Sequence, residues 1–169
     1  MDYRDKLYRA VNPVYASDPL SGRGAKLYGG RFNPKGMPAL YCSLTILTAI
    51  KEANQAGSLQ PTTLVSYNAD IADIFNGQDD SALEPYGMSA AALADSGWRD
   101  KMKLHGKAPT QILAESLVAK GFNGMQVRSY APGASVDDLN LVIWKWGNAL
   151  PTLLTLIDDE NRLKPPHTP

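Results

Sequence analysis

The chain has 169 residues, with 17 Lys and Arg against 17 Asp and Glu, so its formal net charge at pH 7 is zero. That balance argues against a coat for nucleic acid or for an anionic membrane, where a basic surplus supplies the affinity. An apolar share of 44% with 20% charged residues fits one soluble domain, large enough to bury a core without staples.

The N-terminus, MDYRDKLYRA, is charged from its second residue and has no apolar run of signal-peptide length. No stretch approaches the roughly 18 apolar residues of a membrane helix. Residues 7–11 (LYRAV) read as a short strand, and a Gly/Pro-rich loop follows over residues 12–38. Residues 39–43 (ALYCS) read as a second strand. Ser43 is then a candidate N-cap for a helix from Leu44 to about Ala56, stopped by Gly57. Cys42 is the single cysteine, which excludes an internal disulfide and fits a reducing, intracellular compartment.

Residues 62–68 (TTLVSYN) have strand composition. Residues 71–107 are helical in places, as in MSAAALADSG, but are interrupted by Gly and Pro. Pro109 suits the first turn of a helix, residues 110–120 carry helical periodicity, and Gly121 marks its end. Residues 125–129, 139–146 and 152–157 read as three further strands, and KPPHTP at 164–169 reads as a frayed tail. Strands early and late, with helices between them and no regular βαβ alternation, predict an α+β fold. Its core is a mixed, mainly antiparallel sheet with flanking helices, in a single domain over residues 1–163.

The neutral total hides a segregation. Residues 1–35 hold seven basic and three acidic residues, while residues 68–100 hold seven acidic residues and one base, Arg99. Helix-terminus preferences explain part of this; the alternative is that the N-terminal segment faces an anionic ligand and the middle faces solvent or a basic partner.

Several familiar sites are absent. Gly22 and Gly24 begin a G-x-G, but Leu27 breaks the dinucleotide fingerprint, and neither a G-K-[ST] loop nor a G-x-S-x-G elbow exists. With only His105 and His167, a His-based metal centre or a Ser-His hydrolase lacks material. An enzyme built from this chain works with Arg, Glu, Tyr and Ser.

The densest stretch is residues 22–52. Gly29 and Gly30 allow close backbone approach, and Arg31 beside them presents a fork to phosphate, or is simply a solvated turn arginine. On a helical projection Ile46, Leu47, Ala49, Ile50 and Ala53 form one arc, and Glu52 lies opposite with Thr45, Thr48 and Gln55. By pattern alone Glu52 is a solvated charge; it gains meaning if that face lines a cleft. Tyr41 is either a core or a cleft-wall aromatic, and Ser129 beside Arg128 is a loop serine or a phosphate binder. Trp144 and Trp146 read as packing residues alternating on the strand that carries Leu141 and Ile143.

Taken in order, LYR at 7–9, GAKLYGGRFN at 24–33, ALYCS, a helix bearing Glu52, GFNGMQVRS at 121–129 and NLVIW at 140–144 resemble the RES domain family. Within it, the chain looks most like the compact ParT-like ADP-ribosylating toxins. The family often has Trp where Phe32 stands, and a Tyr-Pro where Val127-Arg128 stand. The resemblance implies a fold like bacterial ADP-ribosyltransferase toxins, and the cytoplasmic toxin of a bacterial type II toxin–antitoxin pair, with an Xre-type antitoxin as partner. It implies NAD+ as substrate, no metal, and transfer of ADP-ribose to a cellular protein; phosphate or water as acceptor is the alternative, and a non-catalytic binding module a more distant one. Direct nucleic-acid or membrane binding is not expected. The family's residues carry over to Arg31, Tyr41, Glu52 and Ser129, with Arg9 and Tyr28 as secondary candidates. On that footing Glu52 stabilises the developing ribosyl cation, and Arg31 with Gly29 and Gly30 holds the pyrophosphate. Tyr41 stacks on nicotinamide, and Ser129 bonds phosphate or ribose.

Overall fold

The computed structural model describes residues 1–54 and 58–164. The expected end of the Glu52 helix at Ala56–Gly57 and nearly all of the expected tail therefore lie outside the described residues. Seven strands form one sheet: β1 (Tyr3–Val11), β2 (Leu40–Ser43), β3 (Thr63–Ile71), β4 (Ile74–Asn76), β5 (Gly124–Arg128), β6 (Leu139–Ile143) and β7 (Thr152–Leu156). Their order is β4-β5-β6-β2-β1-β3-β7, antiparallel except for the β4–β5 pair. The helices are α1 (Arg23–Tyr28), α2 (Ile46–Ala53), α3 (Asp80–Leu83), α4 (Ala90–Leu93), α5 (Trp98–His105) and α6 (Pro109–Ala119). This is the expected α+β architecture with a mainly antiparallel sheet and flanking helices.

Alternation along the strands sends side chains into two cores, one on each face. Leu7, Leu40, Cys42, Tyr67, Leu141 and Ile143 pack on one face with the chain around Ala16. Phe32, Met125, Val127, Val142 and Trp144 pack on the other beneath Leu83, Leu93, Leu113 and Leu117 of the helical layer. Truncating a buried leucine such as Leu117 to Ala in such a core costs roughly 2–5 kcal/mol.

The sheet is not evenly zipped. β1 pairs with β3 over nine residues, from Tyr3 opposite Ile71 to Val11 opposite Thr63. With β2 it shares one register pair, Tyr8 opposite Ser43. The strands diverge beyond that pair, and the candidate site opens between them.

Three local expectations are corrected. The loop over 12–38 contains a 3-10 turn at Pro13–Tyr15 and helix α1. The N-cap of α2 is Thr45, whose hydroxyl accepts from the Thr48 amide, while Ser43 stays in β2 and donates to Asn140. The strand read to Trp146 ends at Ile143, so the two indoles part. Trp144 Nε1 donates to the Phe32 carbonyl at 2.9 Å and Trp146 Nε1 to the Leu20 carbonyl at 3.1 Å. Each remains a packing residue, and each ties down one part of the 12–38 segment.

The acidic segment resolves mostly into helix-end chemistry. Asp79 caps α3, Asp80 accepts from the Ala90 amide, and Asp95 accepts from the Gly97 amide and Lys101. Asp70 pairs with Arg4 and so bridges the two oppositely charged segments.

Candidate active site

A cleft of about 600 Å³ opens where β1 and β2 diverge, within the roughly 300–1,000 Å³ usual for small-molecule sites. Its floor is Arg9 and Ala10 of β1 with Tyr41, Cys42 and Ser43 of β2. One wall is the end of α1 and the loop after it, Tyr28 to Arg31; another carries Ala49, Glu52 and Ala53 of α2, with Asn140. The last wall is α5 with Tyr130. Seven of the eight residues singled out from the sequence thus meet in one cleft. Ser129 lies just behind it and touches Glu52.

Helix α2 explains why Glu52 points inward. Its polar arc, with Ala49, faces the protein: Thr48 and Ala49 are buried, whereas Ile46, Leu47 and Ile50 are exposed. The solvated reading of Glu52 is therefore overturned. Polar partners draw this arc inward. Asp138, buried, accepts from Thr48 Oγ1 at 2.7 Å, Lys51 Nζ at 2.8 Å and the Ser135 amide at 2.7 Å. One turn on, Glu52 Oε1 accepts from Ser129 Oγ and from Asn140 Nδ2, each at 2.5 Å. Asn140 is itself held by Ser43 Oγ at 2.8 Å. Charge-assisted bonds of this kind fix a carboxylate's direction, so Ser129 is a positioning residue for Glu52 here.

The Lys51, Ser135 and Thr48 donors hold the Asp138 carboxyl well below the usual aspartate range. A depressed carboxylate contributes stability that is complete above its unfolded pKa, about 3.9, and is lost as pH falls toward the folded value. Asp138→Asn is expected to melt lower than the parent at pH 7, with the gap narrowing as pH drops below about 4. Thermal melts of both proteins from pH 7 to pH 2.5 check this; a gap independent of pH contradicts it.

The glycine–arginine loop is a clasp. Asn33, fully buried, donates through Nδ2 to the carbonyls of Ala25 and Met37, both at 2.9 Å. The Tyr41 hydroxyl donates to Asn33 Oδ1 at 2.7 Å and accepts from the Phe32 amide at 3.0 Å. Burial pushes the Tyr41 phenol far above its ordinary pKa, so it stays a neutral donor while its ring lines the cleft. Gly30 passes so close to that hydroxyl that a Cβ would overlap it. The amides of Gly29 and Gly30 bond Ala25 and Asn33; what the pair gives the cleft is room rather than donors.

Arg31 Nη1 donates to the carbonyls of Leu93 (3.1 Å) and Asp95 (2.8 Å), and its guanidinium lies 4.5 Å from the centre of the Tyr130 ring. Burial and then the nearby Arg99 charge lower its pKa from the ordinary arginine value, opposed by Tyr130, Asp95 and Glu52. Arg9 Nη1 donates to the Pro19 carbonyl at 3.2 Å. Both arginines are braced by backbone, which presets their orientation.

Sequence reading missed Asn140, Ser43, Tyr130, and Trp98, Arg99 and Lys103 of α5. Arg99 had a signal, as the lone base of an acidic stretch; the others had none before the fold joined them. Among the described residues no group of three or more His, Cys, Asp or Glu is arranged to hold a metal ion, and no helix is long and apolar enough to cross a membrane.

A family model described as the RES domain matches residues 6–160. The protein "Toxin Res" of Photorhabdus laumondii is 44% identical over 46 residues, 27% of this chain and 30% of that protein. The match thus spans under a third of the curated relative. Among solved structures, the M. tuberculosis MbcT–MbcA toxin–antitoxin complex contains a chain superposing with a TM-score of 0.67 at 21% identity. That superposition covers 94% of this chain and 84% of the other and establishes a shared fold.

Proposed function

The chain belongs to the RES domain family, and from that membership and the cleft we propose that it is the toxin of a toxin–antitoxin pair, cleaving the nicotinamide glycosidic bond of NAD+ and passing ADP-ribose to a protein. The observation that carries this reading is one inward carboxylate, Glu52, held by Ser129 and Asn140 in a cleft that also gathers four cations and four aromatic rings. Breaking the C–N bond builds positive charge on the ribose, as in other glycosyl transfers. A carboxylate held against that ribose stabilises the transition state more than the uncharged ground-state sugar, which is what accelerates the step. Arg31 and Arg9 complement the pyrophosphate, the Tyr41 ring flanks the nicotinamide, and Tyr28 stands at the rim. The bond electrons leave with nicotinamide. A nucleophile on the acceptor adds to the anomeric carbon and gives up its proton, which Glu52 is placed to take.

A protein acceptor is favoured by the rim. Tyr28, which lines the cleft, is 73% exposed, giving a macromolecule apolar purchase at its edge. Incubation with NAD+ labelled in the adenylate, in a cell lysate, tests the acceptor. Label is expected in protein. Label confined to ADP-ribose or to its 1-phosphate makes water or phosphate the acceptor.

The antitoxin is placed by the same reading on the outward face of α2. Ile46, Leu47 and Ile50 form an exposed apolar stripe on the helix that bears Glu52, and a structural neighbour of this fold was solved with an antitoxin. Leu47→Asp is expected to weaken the complex at least about tenfold in a titration while leaving NAD+ turnover intact; unchanged affinity contradicts the placement.

A further inference from the structure

Helix α5 contributes four residues to the cleft, Trp98, Arg99, Met102 and Lys103. The spacing i, i+1, i+4, i+5 is one face of a helix, so α5 presents a continuous stripe to the site. Its position is fixed at two points. Trp98 is buried, and Met102 Sδ accepts from Gln111 Nε2, the same group that donates to the Gly30 and Asn33 carbonyls of the clasp loop. Arg99 stacks on Trp98 with its guanidinium 4.6 Å from the ring centre, which orders it without neutralising it.

The cleft therefore gathers four cations, Arg9, Arg31, Arg99 and Lys103, around one carboxylate, Glu52. The ion pairs found among the described residues involve none of those four cations. Converging like charges are unfavourable until an anion enters, and the relief appears as binding energy. Arg31 and Arg9 are braced by backbone carbonyls, and α5 packs beside the Arg31 loop through Met102 and Gln111. The four cations thus share one cleft, with Arg99 near enough to Arg31 to act on its charge.

Resting on the NAD+ reading above, we propose that Arg99 and Lys103 are substrate-binding residues forming the second arm of a diphosphate clamp, holding the dinucleotide's pyrophosphate from α5 together with Arg31. This arm acts on affinity and not on the bond-breaking step, because the diphosphate carries the same charge in the ground and transition states.

The test is titration of the full chain and its Arg99→Gln/Lys103→Gln variant with ADP, which carries the diphosphate, and with nicotinamide riboside, which carries no phosphate. Lys107→Gln, at a surface residue that pairs with Glu115 and does not line the cleft, serves as control. The ADP dissociation constant is expected to rise about 10–100-fold in the double variant, with nicotinamide riboside binding unchanged. The KM for NAD+ is expected to rise by a similar factor with kcat retained. An ADP affinity within about twofold of the parent overturns the clamp. Equal loss of both ligands also overturns it, by making α5 a scaffold. If the parent releases no nicotinamide, the NAD+ reading fails by itself, while the ADP titration still decides whether α5 holds diphosphate.

Discussion

Glu52→Gln is expected to lower NAD+ turnover by roughly 10³-fold or more while leaving the melting temperature nearly unchanged. The change is isosteric, and the amide oxygen of Gln can still accept from Ser129 and Asn140, the two donors that meet at Glu52 Oε1. The fold thus keeps its contacts, and what disappears is the negative charge facing the ribose. Removing a single preorganised donor from an oxyanion site costs about 10²–10³ in kcat, and a full charge facing a developing cation sets a larger expectation. NAD+ affinity should hold or rise slightly, since a carboxylate repels the pyrophosphate before reaction. Nicotinamide release measured alongside a thermal melt checks both halves. Ser129→Ala should fall between, because it frees the carboxylate to rotate without removing it.

Gly30→Ala is expected to be the most damaging single methyl group in the site. The added Cβ would overlap the Tyr41 hydroxyl and lie 2.6 Å from Asn33 Oδ1. Neither atom can yield cheaply, because the first holds the Phe32 amide and the second belongs to a side chain bonded to Ala25 and Met37. Overpacking costs about 1–3 kcal/mol, and each displaced hydrogen bond about 1 kcal/mol more. For a domain of this size the loss corresponds to a fall of roughly 5–20 °C in melting temperature. Turnover should fall with it, since Arg31 and Tyr41 hang on the same clasp. Gly24→Ala is the control. It lies in α1 with nothing within 4 Å of the new methyl group, and should stabilise by about 0.5–1 kcal/mol. Calorimetry of the pair checks the contrast.

Much of the sheet was legible because its strands carry apolar, β-branched or aromatic residues between turn residues, as in β3 and β7. The three-residue β4 was not, since Ile74–Asn76 carries no periodicity and gains its strand character only by pairing with β5. The start of α2 went to the wrong cap because Ser43 and Thr45 are equally good capping types, and the choice is made by Asn140, 97 residues from Ser43.

The site was legible wherever its residues lie together in sequence, as in the stretch from Tyr28 to Tyr41. The direction of Glu52 was misread for a physical reason. Amphipathic reasoning assumes that the apolar arc goes inward, and α2 reverses it because Asp138, Ser129 and Asn140 place buried polar partners under the opposite arc. A helix that buries a polar side chain while three of its large apolar ones stay exposed is unusual, and in the proposed reading it carries both the reactive group and the surface offered to a partner. Arg31 carries a similar lesson. The sequence leaves it between a fork for phosphate and a solvated turn arginine, yet the Leu93 and Asp95 carbonyls brace it from the helical layer, a contact that residue spacing does not announce.

The central claim is that this cleft breaks the nicotinamide glycosidic bond of NAD+. The most direct measurement is nicotinamide release over time from NAD+ mixed with the wild-type chain, in parallel with Glu52→Gln. The account predicts release through many turnovers by the wild type and release at the enzyme-free rate by the variant. Release at the enzyme-free rate by both, or at equal rates above it by both, would contradict the account.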